Sequence, residues 1–159
     1  MTLLANIIWF VLGGFFVGLL YLLGAIILFP LLPFLLPMIG YSFWPFGRRP
    51  VSKQAVNAYK QANGQEPDPD DFETAGGVVK FLANVVWLLT FGWMLAISHL
   101  LWGLMNLIAC LPIITIPICL PNAMAHFKLA PVALTPFGVK IVPTALAEEI
   151  DLEHAKAKL

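Results

Sequence analysis

Tyr21, His99 and Asn106 are polar side chains within uncharged, largely apolar sequence, and their spacing puts them on helical stripes. Positions i, i+4, i+7 and i+11 of a helix share a face. Gly14, Gly18, Tyr21 and Ala25 therefore form one stripe, and Gly92, Ala96, His99 and Gly103 form a second that Asn106 extends. Two kinds of chemistry suit such stripes. Small residues four apart let helix backbones approach closely, with Tyr21, His99 and Asn106 hydrogen-bonding across the contact, within the chain or between copies. In the other reading the stripe lines a permeation path. There His99 would gain charge below its unperturbed pKa of about 6.5 and repel cations, and an ionisable group inside a membrane is a functional candidate by default.

Further candidates flank these stripes. Asn6 and Asn84, beside Trp9 and Trp87, open the two long apolar stretches. They suit interfacial anchors or helix caps with the indoles at headgroup level, or a ring of asparagines at the cytoplasmic mouth of an oligomer. His126 and Lys128 suit a cytoplasmic membrane edge, with gating or lipid-headgroup contact as the other reading. Enzymatic constellations are missing: no Ser-His-Asp or Cys-His set can be assembled without joining opposite sides of a membrane, and there is no Gly-rich phosphate loop or paired metal spacing. His154 with Glu149, Asp151 and Glu153 reads as a solvated charged face rather than a metal site. The sequence thus predicts a non-enzymatic protein with no catalytic residue, cofactor or metal. Cys110 and Cys119 fit neither a zinc pattern nor a secreted disulfide framework. They read as two buried thiols acting as small apolar side chains, against a bridge or a redox role.

The elements that must position these residues follow from composition and charge. The chain of 159 residues is 60% hydrophobic and 11% charged, against about 45–50% and about 25% for a soluble domain. All charges fall in residues 48–80 and 128–159, which leaves two uncharged blocks, 1–47 and 81–127, of 47 residues each. A helix needs about 20 apolar residues to span a bilayer, so each block holds two passes. Within a block the passes are unequal. Residues 3–29 and 82–111 are long and uninterrupted, whereas 30–43 carries Pro30, Pro33 and Pro37 and 112–125 carries Pro112, Pro117 and Pro121. Proline removes an amide donor and kinks a helix, so these second elements are broken helices or re-entrant segments, re-entrant in the first block. Arg48, Arg49, Lys53 and Lys140, with Lys80 and Lys128, lie beside the blocks and by the positive-inside rule are cytoplasmic, as are both termini. Residues 3–29 are expected to be a retained span and not a cleavable signal. Between the blocks, Ser52 caps a helix over 53–62 and residues 65–74 form an acidic solvated loop. A helix from Thr144, with early Glu148 and Glu149 and late Lys156 and Lys158, closes the chain. Both polar helices read as surface or partner-facing, or as lying on the anionic leaflet.

The chain also repeats itself. Asn6-Ile7-Ile8-Trp9 recurs as Asn84-Val85-Val86-Trp87, Pro33-x-x-x-Pro37 as Pro117-x-x-x-Pro121, and Pro45-Phe46-Gly47 as Pro136-Phe137-Gly138. The two Asn-x-x-Trp starts, Phe91-Gly92-Trp93, the Pro-rich turn, Ala125-His126-Phe127-Lys128 and the closing Pro-Phe-Gly together resemble the YccF-like inner-membrane component domain of bacteria, over about residues 3–52 and 80–143, with the second copy closer to that pattern. The resemblance implies a small polytopic inner-membrane protein and no catalytic residues. The expected fold is all-α and polytopic: two parallel tandem repeats (1–47 and 81–143), each a long span plus a Pro-broken element, with cytoplasmic segments at 48–80 and 144–159. The expected function is a homo-oligomeric channel or transport subunit, the alternative a membrane-anchored scaffold that recruits a cytosolic partner. The expected partners are the lipid bilayer, further copies of the chain and, in the alternative, a cytosolic protein; a net charge of zero gives no field to attract nucleic acid.

Overall fold

The structure is a computed structural model that describes residues 2–69 and 76–156. Residues 70–74 of the expected acidic loop, and Lys158, lie outside the described residues. Helices α1 (Thr2–Trp9) and α2 (Phe15–Ile27) are joined through a π-helical segment, Phe10–Gly14, into one apolar rod. A short helix α3 (Leu32–Phe43) follows, then strand β1 (Arg48–Ser52) and helix α4 (Lys53–Ala62). The second half repeats the order with α5 (Gly76–Trp87), a π-helical segment, α6 (Trp93–Ala109), α7 (Ile116–Leu134), strand β2 (Val139–Pro143) and α8 (Thr144–Lys156).

Three helical rods are long and apolar enough to cross a membrane: Thr2–Ile27, Gly77–Ala109 and Ile113–Leu134, of 26, 33 and 22 residues. At 1.5 Å per residue they reach about 39, 50 and 33 Å, against about 30 Å of hydrocarbon. The protein is an all-α polytopic membrane protein. The apolar helix Phe29–Phe43 remains shorter than those spans. Its counterpart α7 does not stop where the uncharged block stops, at 125–127, but continues through His126 and Lys128 to Leu134. Pro117 sits in its first turn, where the missing amide has no intrahelical partner anyway.

The sequence reading missed the ribbon. β1 and β2 pair antiparallel, with Pro50 opposite Ile141 at the centre. Each strand follows a Pro-Phe-Gly turn whose glycine has positive φ, +90° at Gly47 and +108° at Gly138, a conformation that other residues reach only with strain. The central pair joins residues 91 apart, so the register has a local two-fold axis. Two backbone bonds obey it: Lys53 N–H donates to the Gly138 carbonyl at 2.9 Å, and Thr144 N–H donates to the Gly47 carbonyl at 3.1 Å. Ser52 caps α4 by accepting from Ala55 N–H at 3.1 Å. Helices α4 and α8 close over the ribbon through Val56, Val142, Ala147 and Ile150. The larger core, between the spans, is built on Trp9, Tyr21, Leu35, Trp87, Leu95 and Leu129.

At the opposite end from the ribbon, the expectation of two separate buried thiols is corrected. Cys110 and Cys119 are joined as a disulfide with Cα atoms 5.7 Å apart. The turn between α6 and α7 brings the chain back on itself, and that separation is the usual one for a bridge. A nine-residue offset is short of repeat signals but ample for a helical hairpin to close.

Candidate functional site

The two asparagines position everything else. Asn6 Nδ2 donates to the Phe46 carbonyl at 3.1 Å while its Oδ1 accepts from Phe46 N–H at 2.9 Å. Asn84 does the same with Phe137, at 3.1 and 3.2 Å. A primary amide offers a donor and an acceptor side by side, so each asparagine pairs with one backbone unit as a neighbouring strand would. One turn further on, Trp9 Nε1 donates to the Ser42 carbonyl at 2.8 Å and Trp87 Nε1 to the Ala133 carbonyl at 2.9 Å. Asn-x-x-Trp is thus a clamp that ties the start of each long rod to the end of its Pro-bearing partner. Asn6 is 1% exposed and both indoles are fully buried, so Asn6 is engaged within its own chain rather than open at a mouth, and the indoles are enclosed by protein rather than facing headgroups.

The stripes face inward within one chain. Tyr21 and His99 are fully buried and Asn106 nearly so, while Gly14, Gly18, Gly92 and Gly103 are sockets for aromatic rings. A Cβ at Gly14 would lie 2.1 Å from the Trp9 ring, at Gly18 2.3 Å from Phe43, and at Gly103 2.6 Å from Phe127. Gly92, beside Trp87, and the buried Ala96 complete the second stripe. Backbones come close here because rings occupy the space that side chains would fill. Gly13 is the one glycine at a kink, with φ +126°, and Trp102 fills the place of its missing Cβ. The kink frees the Leu12 carbonyl, and Asn106 Nδ2 reaches it at 3.3 Å while also donating to the Trp102 carbonyl at 2.8 Å.

A pair of imidazoles lies at the centre. His99 on α6 and His126 on α7 meet through their Nδ1 atoms at 3.0 Å. Trp9 stacks on His126 with ring centroids 4.1 Å apart and lies 6.5 Å from His99. His126, expected at a membrane edge, is fully buried, because α7 runs about two turns past it, to Leu134. One proton can occupy an Nδ1···Nδ1 bond between two neutral rings, so one histidine is the Nδ1–H tautomer and the other the Nε2–H tautomer. His126 Nε2 lies beside the Leu12 carbonyl without hydrogen-bond geometry. Among the described residues, His99 Nε2, the Tyr21 hydroxyl, Asn106 Oδ1 and Asn122 Oδ1 are likewise buried without a partner. Asn122 escaped the sequence reading, although it stands one helical turn before His126. The signal was there in the i, i+4 spacing on α7.

The remaining candidates sit at the ribbon end. Arg48 donates to the Gly40 and Trp44 carbonyls, at 3.1 and 2.5 Å, at the end of α3, and Arg49 pairs with Asp151 at 3.0 Å. Lys140 and Lys60 both bind the Asp68 carboxylate, the latter at 2.6 Å. Lys140 first and Lys60 second hold that carboxyl down to about pKa 2. Tyr59 donates to Glu149 at 2.8 Å, which raises the phenol. Lys53 lies beside Asp68 on the wall of a cavity. Lys128 is exposed on α7. Among the described residues no group of three or more His, Cys, Asp or Glu side chains has the arrangement to hold a metal ion.

Comparison with known proteins supplies the context. The model of the YccF inner membrane component domain matches residues 82–139, the half that carries both histidines. A protein of Escherichia coli (strain K12), "Inner membrane protein YccF", is 31% identical over 153 residues, covering 96% of this chain and 95% of its own length. The chain belongs to the YccF family. The Shigella flexneri protein of the same name matches to the same extent. No solved structure matches the chain. Membership of the YccF family places the rods in the inner membrane.

Proposed function

We propose that the protein is a non-enzymatic transport subunit of the inner membrane in which the His99–His126 pair passes protons between the Leu12 kink and Tyr21. The observation that supports it is the set of buried polar atoms without partners around that pair. A buried unsatisfied polar group costs about 1–3 kcal/mol, and a protein that served only as an anchor has no use for several of them in one core. A proton taken up at the bare Nε2 of the ring that donates through Nδ1, passage of its Nδ1 proton to the other ring and release of a proton from that ring's Nε2 carry one proton across the pair and exchange the two tautomers. This site belongs to a single chain, so the reading does not need an oligomer axis; homo-oligomerisation would leave it intact. The ribbon end is taken as cytoplasmic because its basic residues outnumber those elsewhere near the rods. The disulfide at the other end agrees, since bridges persist in the oxidising periplasm. Both termini are then cytoplasmic.

The test is dissipation of an imposed pH gradient by purified protein in proteoliposomes. Wild type should collapse it faster than protein-free vesicles, and His126→Leu should fall to that background while keeping its size-exclusion profile. Wild type indistinguishable from empty vesicles would sink the reading.

A second reading, a scaffold for a cytosolic partner, is favoured by the α4–α8 cap, where Tyr59–Glu149 and Arg49–Asp151 tie the two halves together at the surface. Removing α8 separates the two: a scaffold loses its cellular role with the rods intact, whereas a transporter still dissipates the gradient.

A further inference from the structure

The local two-fold axis of the ribbon creates two related cavities, one on each side. One holds about 390 Å³ between the Pro136-Phe137-Gly138 turn and α3, and its wall includes Lys53, Lys140 and Asp68. The other holds about 680 Å³ between the Pro45-Phe46-Gly47 turn and α7, and its wall includes Arg48, Arg49 and Lys128. The first already holds an anion supplied by the chain itself. Asp68 inserts a carboxylate there that binds Lys140 and Lys60, and Asn57 holds the loop in place by pairing with the Asp68 backbone at 3.0 and 3.1 Å.

Among the described residues no acidic side chain forms part of the wall of the second cavity. Arg49, the residue 91 positions before Lys140, pairs with Asp151 outside it, in an exposed bridge of the kind that contributes little. Arg48 stays on the wall with its head at the α3 carbonyls. Lys128 makes no hydrogen bond or ion pair with any described residue. On the α7 wall the positions one and two turns before Lys128 are apolar, and these residues, Met124 and Leu120, are 48% and 40% exposed.

We propose that this second cavity is a binding site for one anionic phospholipid, its phosphate taken by Arg48 and Lys128 and its acyl chains lying along Leu120 and Met124 on α7. The twin cavity shows the chemistry required: where the chain has an anion to offer, it places a carboxylate between lysines. Where no described acidic residue is offered, the site has Arg48 and Lys128, a larger volume of a size suited to a headgroup and apolar positions along α7. Basic pockets between membrane helices on the cytoplasmic side recognise anionic headgroups by the same combination. The site is separate from the histidine pair and stands or falls independently of the transport reading.

The test is native mass spectrometry of protein released from nanodiscs made of equal phosphatidylglycerol and phosphatidylethanolamine. Wild type should retain one phosphatidylglycerol. Lys128→Glu, and Lys128→Gln as the milder variant, should reduce that retention about five-fold or more, since a basic residue near an anionic surface contributes about 1 kcal/mol. Asp68→Asn should remove the anion from the twin cavity and raise retention to two. Equal retention of the zwitterionic lipid, or retention unchanged in both Lys128 variants, overturns the site. Release of the lipid by millimolar glycerol phosphate overturns the lipid assignment in favour of a free phosphate. Retention of only one lipid by Asp68→Asn overturns the argument from the twin.

Discussion

The two halves of the molecule share a clamp and differ in what the clamp encloses. Asn6, Trp9 and Phe46 in the first half make the same bonds as Asn84, Trp87 and Phe137 in the second, down to the edge-on packing of each indole against its phenylalanine at 6.1 and 6.3 Å. Across the middle, each half lends a ring to the other: Tyr21 stacks near Trp87 at 6.0 Å, and His99 near Trp9 at 6.5 Å. The divergence lies at these lent rings and their neighbours. His126 has Leu35 as the residue 91 positions earlier, also fully buried. One side of the core is therefore Tyr21, Trp87 and Leu35, and the other is His99, Trp9 and His126. The clamp is therefore architectural, whereas the histidine pair belongs to one half alone, the half matched by the family model.

The comparison breaks most readily at the clamps. Asn6→Ala and Asn84→Ala each strand a backbone amide and carbonyl, and at about 1–3 kcal/mol per unsatisfied buried group each should lower stability by roughly 2–5 kcal/mol. Thermal unfolding in detergent checks it. A large loss from one variant and none from the other would mean the halves are not equivalent even as scaffolding.

The kink should come next. Gly13→Ala forces a side chain into positive φ and against Trp102, for about 1–3 kcal/mol, whereas Gly92→Ala, with ordinary backbone angles, should be tolerated better. Equal melting losses would remove the kink as a point of difference.

The histidines give a sharper test of the polar half. His126→Leu makes it resemble the Leu35 side but leaves His99 Nδ1 unpaired, for about 1–3 kcal/mol. The double variant His99→Leu/His126→Leu removes both partners and should recover much of that loss, because replacing both ends of a buried hydrogen bond by apolar groups is nearly neutral. If the double variant is as unstable as the sum of the singles, the two rings are not coupled.

The smallest effect concerns pH at the ribbon end. Asp68, held to about pKa 2 by Lys140 and Lys60, has an unfolded value of about 3.9. Its contribution is fully present above about pH 4 and disappears as pH falls through about 2, since protonation then favours the released loop. Protease cleavage near residues 65–69 should rise over that window in wild type. In Asp68→Asn it should be raised already at neutral pH and insensitive to acid.

Much of this was legible because it depends on composition and local spacing. Sixty per cent apolar sequence with its charges swept into two stretches has no soluble fold available, since ionised side chains stay out of lipid. The small-residue stripes were readable as close helix contacts from their period alone, and Ser52 as a cap from the polar sequence that follows it. The ribbon was not legible: five residues after a Pro-Phe-Gly turn have no sign of strand pairing until another copy, 91 residues away, is brought beside them. His99 could be named from sequence as a polar group at membrane depth, but its partner could not. His126 stands beside Lys128 and close to the charged tail, and only the continuation of α7 inside the bundle buries it against Trp9. The two cysteines read as separate thiols for the same reason, because a spacing does not say whether the chain between them turns back, and the structure joins them. Sequence by itself determined the solvent, the helices and the repeat of their motifs, all of which are set by transfer energies and short-range backbone geometry. Which ring faces which, and which carboxylate enters which cavity, was decided only by tertiary structure, because those contacts join residues tens of positions apart whose approach depends on every element between them.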